Sequence, residues 1–104
     1  MSNAALQLDD VVHQRVRLGI LAVLAESRRA DFVYLREALE VTDGNLSRHL
    51  QVLEAAGYVR IEKIFEGRRP RTWVAATTTG REAFESELEA LRNLIARIDG
   101  PRAE

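Results

Sequence analysis

The sequence predicts a chain of the α+β class, mainly α, with elements in the order α-α-α-β-β-α. Three observations carry that prediction. Residues 42–59 hold leucines at helical spacing and close on a glycine. Residues 59–75 read as two short strands around a Glu66-Gly67 turn. From residue 78 to about 98 a long amphipathic helix follows, with apolar residues every three or four positions.

Taken in order, Asp9-Asp10 supply acidic groups suited to the positive end of a helix. From residue 11 to about 27, Val12, Val16, Ile20, Val23 and Leu24 keep helical spacing. Gly19 interrupts that run at a cost of about 1 kcal/mol relative to alanine, which points to close helix packing there. Ser27-Arg28-Arg29-Ala30 reads as a loop. Asp31 is the next cap, and Phe32, Leu35 and Leu39 form a short stripe ending near Glu40. Val41-Thr42 then turns the chain into a third helix, giving two short helices with a tight connection, a helix-turn-helix. Thr42 is its cap, with Asp43 in the first turn. Leu46, Leu50 and Leu53 share one face, and Gly57 stops the helix before Tyr58-Val59 opens a strand.

The face opposite those leucines carries Gly44, Arg48 and Gln51, flanked by Asn45 and Ser47. A solvated helix face is usually rich in Glu and Lys. Small residues, amides, a hydroxyl and an arginine instead fit a major groove and pair with base edges and phosphates. In the hairpin, Val59 and Ile61 alternate with Arg60 and Glu62 before the pattern shifts near Lys63-Ile64. Its tip reads Arg68-Arg69-Pro70-Arg71, where Asn, Gly or Asp is usual. That tip asks for a polyanion; the plainer reading is a charged edge that resists aggregation. Thr77-Thr78-Thr79 offers caps for the last helix, with Thr79 and Glu82 as a capping box, and Asp99-Gly100-Pro101 ends it. Within it Phe84, Leu88, Leu91, Ile95 and Ile98 step by coiled-coil spacing, and Leu94 widens the stripe. The helix is about 30 Å long, too long for its whole stripe to be covered by one small domain. A second copy is the natural cover, and the first helix the plainer one.

The run Asn45-Leu46-Ser47-Arg48-His49-Leu50, continued by Leu53-Glu54-Ala55-Ala56-Gly57-Tyr58-Val59, resembles the recognition helix of winged helix-turn-helix regulators, nearest the ArsR-like and MarR-like families. The resemblance extends over residues 16–84, and its most specific parts are Ser47-Arg48-His49-Leu50 and Gly57-Tyr58-Val59. It implies a winged-helix fold and a homodimer that binds double-stranded DNA, a sequence-specific transcriptional regulator on a palindromic operator. The hairpin would be the wing, its basic tip along the phosphates or in the minor groove. Related families often read Leu-Thr-Pro-x-Gly before the last helix; Thr77 and Gly80 match, while Ala76 and Thr78 depart from it. Metal sensing in the ArsR-like proteins works through cysteines, which this chain lacks, so that function is not carried over. A winged-helix module that binds protein without specific DNA binding is the alternative, and it would show apolar or acidic surface on the third helix and wing.

These readings give one domain over 9–104 after a flexible stretch over 1–8, with the wing at 58–76 and the dimerisation helix at 78–98. The 104 residues suffice for a single core, and the 46% apolar content contains no membrane-length run and no secretory signal pattern. Without cysteine there is no disulfide or thiolate site, as suits the cytoplasm. The net charge of −1 conceals a segregation, since residues 44–73 carry six basic against three acidic side chains. A nucleic-acid binder needs only such a local footprint. No nucleophile beside a base, phosphate-cradling glycine loop or paired carboxylate stands out, so neither an enzyme nor a cofactor is expected. No metal site is expected either: His49 borders the leucine face as a structural histidine, and a zinc site from His13 with Asp9 and Asp10 is the weaker reading.

Overall fold

The elements follow as α1 (Arg15–Ala25), β1 (Ala30–Asp31), α2 (Phe32–Leu39), α3 (Asp43–Ala55), β2 (Val59–Glu66), β3 (Arg69–Ala76) and α4 (Thr78–Asp99) in a computed structural model that describes residues 7–100. The flexible stretch expected over 1–8 falls outside the described residues as far as residue 6, as does Pro101. The predicted order holds with one addition. Ala30-Asp31, read as the end of a loop and a cap, is also a two-residue strand that pairs with Val74 and Trp73. It makes an antiparallel sheet of order β1-β3-β2. Two residues are too few for strand periodicity to register.

The first helix is shorter than its apolar spacing suggests. Asp9 does cap a turn, accepting from the backbone N–H of Val11 and Val12 at 2.8 and 3.0 Å. The chain then breaks and restarts at Gln14, whose side chain accepts from Arg17 N–H. The break serves Glu87 of α4, a carboxylate only 1% exposed. One of its oxygens accepts from Asp9 N–H at 3.0 Å and the other pairs with His13 Nδ1 at 2.7 Å. A buried carboxylate needs such partners, because desolvation without them costs several kcal/mol. His13 is thus engaged by Glu87 and the Asp9 carboxylate by Val11, Val12 and Tyr58, and among the described residues no group of three His, Asp or Glu could hold a metal.

Val12 from the preceding turn and Val16, Ile20, Leu21 and Leu24 of α1 meet Leu35, Leu46, Leu50, Leu53, Val59, Val74 and Phe84 in one core. Gly19 does permit a close approach, since a Cβ there would lie 2.8 Å from the Leu39 side chain. α2 ends with Glu40 in the left-handed region at φ 54°, Val41 N–H reaching back to Arg36 and Glu40 N–H to Glu37. Tyr58 N–H to Leu53 O and Gly57 N–H to Glu54 O close α3 in the same manner, with Gly57 at φ +80° as a glycine prefers.

α4 begins earlier than the capping-box reading placed it. Thr77, not Thr79, is the cap: its hydroxyl oxygen accepts from Gly80 N–H at 2.9 Å while donating to Gly57 O at 2.6 Å. Thr77 N–H also donates to Tyr58 O at 3.0 Å, which holds the residue outside the helix. Gly80 sits so close beneath Tyr58 that a Cβ would come within 1.9 Å of its carbonyl oxygen. Backbone cannot yield as a flexible side chain can. Gly80→Ala should therefore lose roughly 1–3 kcal/mol or more, read as a lower urea midpoint at unchanged m; an unchanged midpoint would show the junction to be loose.

Candidate nucleic-acid interface

Helix α3 presents the face its leucines leave free. Leu46, Leu50 and Leu53 are at most 2% exposed, while Gly44, Arg48 and Gln51 are exposed and Asn45 and Ser47 half-buried. Thr42 caps the helix by accepting from Asn45 N–H at 3.1 Å. Arg36 of α2 meets Asp43 at 2.8 Å, a surface pair worth little energy that nonetheless ties the two helices across their turn. All five residues predicted on this helix thus lie on its outer side or flank it.

His49 is buried at the edge of the leucine face, and its Nδ1 lies 3.1 Å from Arg17 Nη1. An arginine can only donate, so Nδ1 accepts and the ring is neutral with its proton on Nε2. Burial, reinforced by Arg17 and Arg48, holds its pKa below the ordinary value.

The hairpin ladder is unbroken from Val59 opposite Ala76 to Glu66 opposite Arg69. The strand period therefore does not shift at Lys63-Ile64. Phe65 and Ile64 are both apolar, which hid the alternation. Val59, Ile61, Lys63 and Phe65 share one face with Ala76, Val74, Thr72 and Pro70. The inner part of that face joins the core. Farther out, Lys63 and Thr72 line a groove against Ser47, Gln51 and Glu54 of α3. The wing's inner face and the recognition helix thus converge on one surface. Lys63 and Thr72 do not stand out in the sequence, because only a period of two carried through to Phe65 places them on this face.

At the end, Gly67 and Arg68 form the two-residue turn, Gly67 at φ +66° and Arg68 with negative φ, the type II′ pattern. Arg68 and Arg69 are exposed, and neither they, Arg48 nor Lys63 is ion-paired among the described residues. Arg71 is placed differently from Arg68 and Arg69. Its guanidinium meets Asp31 and Glu66, each at 2.7 Å, and lies 4.6 Å from the Trp73 ring centre. It braces the wing, with two carboxylates already on its guanidinium. Arg29, from the first loop, covers the same ring at 3.8 Å. Asp31 in turn, held below its usual pKa by the Tyr34 N–H and Arg71, caps α2.

On α4, Phe84 is 8% exposed within the chain's own core and Leu88 packs against it. Phe84, expected on the dimer face, is thus largely enclosed by its own chain. Leu91 and Leu94 are half-buried, and Ile95 and Ile98 are 57% and 76% exposed.

A helix-turn-helix followed by a β-hairpin wing, with the second helix and the wing on one surface, defines a winged helix-turn-helix protein. Residues 16–95 match the family described as winged helix DNA-binding domain, and the chain belongs to that family. It is 38% identical over 84 residues to the uncharacterized protein MJ0432 of Methanocaldococcus jannaschii, covering 81% of this chain and 91% of that one. Its fold matches a transcriptional regulator homologue from Pyrococcus horikoshii OT3 with a TM-score of 0.80 at 37% identity, over 86% of this chain and 88% of the other. A MarR-family regulator from Silicibacter pomeroyi matches at TM-score 0.65 and 25% identity, over 89% of this chain and 62% of that one. These likenesses point to a transcriptional regulator rather than an enzyme, and among the described residues no helix is long and apolar enough to cross a membrane.

The His49 environment yields a pH dependence. The unfolded histidine takes up a proton near pH 6.5, whereas the folded one resists it, so its contribution is complete above that pH and is lost as pH falls below it. His49→Gln should flatten the decline in stability between pH 7 and 5 measured by denaturant titration. An equally steep decline in the variant would remove His49 as its cause.

Proposed function

We propose that the protein is a sequence-specific, double-stranded DNA-binding transcriptional regulator that acts in the cytoplasm as a homodimer on a palindromic operator. The observation that carries this reading is the convergence of Ser47 and Gln51 with Lys63 and Thr72 on one groove, with Arg48 exposed on the same helix and Arg68 and Arg69 exposed at the tip of the wing. Arg48 and Gln51 have the donors and acceptors that read base edges, with Asn45 and Ser47 beside them and Gly44 admitting close approach. Arg68 and Arg69 fit the role of gripping the flanking backbone. The alternative, a winged-helix module that binds protein, would usually show apolar or acidic surface on this helix and wing.

The dimer reading rests on α4, whose 22 residues span about 33 Å. Its first half is covered by the chain itself, and the second half leaves Leu91, Leu94, Ile95 and Ile98 as an apolar stripe. A twofold partner would cover it and set two recognition helices roughly 34 Å apart, matched to successive major grooves.

Selection of binding sites from random duplexes tests the whole reading: an inverted repeat should emerge, and a pool without consensus would defeat it. Arg48→Ala should weaken the selected site by roughly 1–3 kcal/mol with unchanged circular dichroism. Arg68→Ala with Arg69→Ala should instead weaken all duplexes about equally; a loss confined to the selected site would make the wing a base reader. Leu91→Asp with Ile95→Asp should give folded monomers with weak DNA binding, since one half-site lacks the gain in effective concentration. Sedimentation of the unmutated protein as a monomer at tens of micromolar would contradict the dimer.

A further inference from the structure

The wing carries a group that phosphate contacts leave unexplained. Phe65 is 75% exposed, although it sits in a rigid strand one residue before the turn region at Glu66-Gly67-Arg68. Burying such a ring is worth roughly 1.5–3 kcal/mol, so a fixed ring left in water is a surface awaiting cover. The register decides which way it faces. Phe65 lies on the same side of β2 as Val59 and Ile61, the side turned toward α3, and directly opposite Pro70 on β3. Two apolar rings thus share the outer end of the wing's inner face. Pro70 lacks an N–H and sits where β3 has passed the end of β1, so nothing is lost by placing it there. The surroundings decide what covers the pair. Lys63 precedes Phe65 on the same face, and Arg68 and Arg69 follow across the turn, all three without ion partners among the described residues. An apolar tip with Lys63 on its own face, Arg68 in the adjoining turn and Arg69 on the other side of the strand end matches a polyanion with apolar surface inside it. That polyanion is duplex DNA, whose stacked bases lie between two phosphate rails.

We propose that Phe65, backed by Pro70, is an apolar wedge that enters the minor groove and partly unstacks a base step beside the sequence read by α3, so that the protein bends its DNA. The inference rests on the DNA-binding reading above and adds to it a deformation and a specificity. Wedges of this kind kink a duplex toward the major groove, and pyrimidine–purine steps such as TA yield most easily whereas A-tracts resist. The protein therefore discriminates at a position where the wing offers no base-reading hydrogen bond.

The test uses the full chain and duplexes that it selects, end-labelled for energy transfer, with TA or an A-tract step placed at the flank. The unmutated protein should shorten the end-to-end distance and favour the TA flank by about tenfold. Phe65→Ser should abolish both the bend and the preference while leaving the salt dependence of binding unchanged, because no phosphate contact is lost. Phe65→Leu should retain most of each. The exposure of the ring means that the fold should persist, and Trp73 emission with circular dichroism verifies it. Native bending and flank preference in Phe65→Ser would overturn the wedge and leave DNA binding intact. So would a change confined to sedimentation, which would mark the ring as a protein contact. Absence of salt-dependent binding to any duplex by the unmutated protein would overturn the DNA reading, and the wedge with it.

Discussion

The angle between α3 and the wing is set at Tyr58. Its N–H closes α3 on Leu53, its carbonyl accepts from Thr77 N–H, and its hydroxyl donates to Asp9 at 2.9 Å. Gly80 lies against it with no room for a side-chain carbon. One residue thus joins the end of the recognition helix, the base of both wing strands, the start of α4 and the segment before α1. Burial alone would raise the Asp9 pKa, but the Val12 and Val11 N–H groups and the Tyr58 hydroxyl outweigh it and hold that carboxyl below its usual value. The junction is made of backbone bonds and a missing Cβ, so it has little freedom to adjust.

That constraint explains why the interface can be composite. α3 and the wing come from different stretches, and only a fixed angle between them lets Lys63 and Thr72 stand beside Ser47 and Gln51. Farther out the wing is stiffened a second time. Arg71 ties Asp31 of β1 to Glu66 near the turn and stacks on Trp73, with Arg29 on the same ring. The arginines divide accordingly. Those with carboxylate or aromatic partners hold the wing's shape, and Arg48, Arg68 and Arg69 stay exposed without ion partners among the described residues.

Much of this was legible in the residues. Leucines at i, i+4 and i+7 after a threonine cap, with Gly57 behind them, specify α3 locally, and local signals survive without tertiary knowledge. What failed needed neighbours distant in sequence. Ala30-Asp31 is a strand only because β3 lies beside it. Arg71 looks like its neighbours in a basic run until Asp31, forty residues earlier, is placed next to it. Phe84 continues the α4 stripe, yet α1 and the sheet claim it for the core. Thr77 outcompetes Thr79 as a cap because of carbonyls at Gly57 and Tyr58. Lys63, Thr72 and Phe65 were lost to one register error, since a slip by one residue transfers every later side chain to the other face.

The central claim is that the surface shared by α3 and the wing meets the phosphate backbone of a duplex. The most direct test is the affinity of the unmutated protein for a duplex as a function of salt. Each phosphate neutralised contributes a slope of about −0.9 in log K against log salt. With Lys63, Arg68 and Arg69 free on each protomer of a dimer, the account predicts a slope of roughly −5 or steeper. A flat dependence, or no binding at low salt, would contradict it.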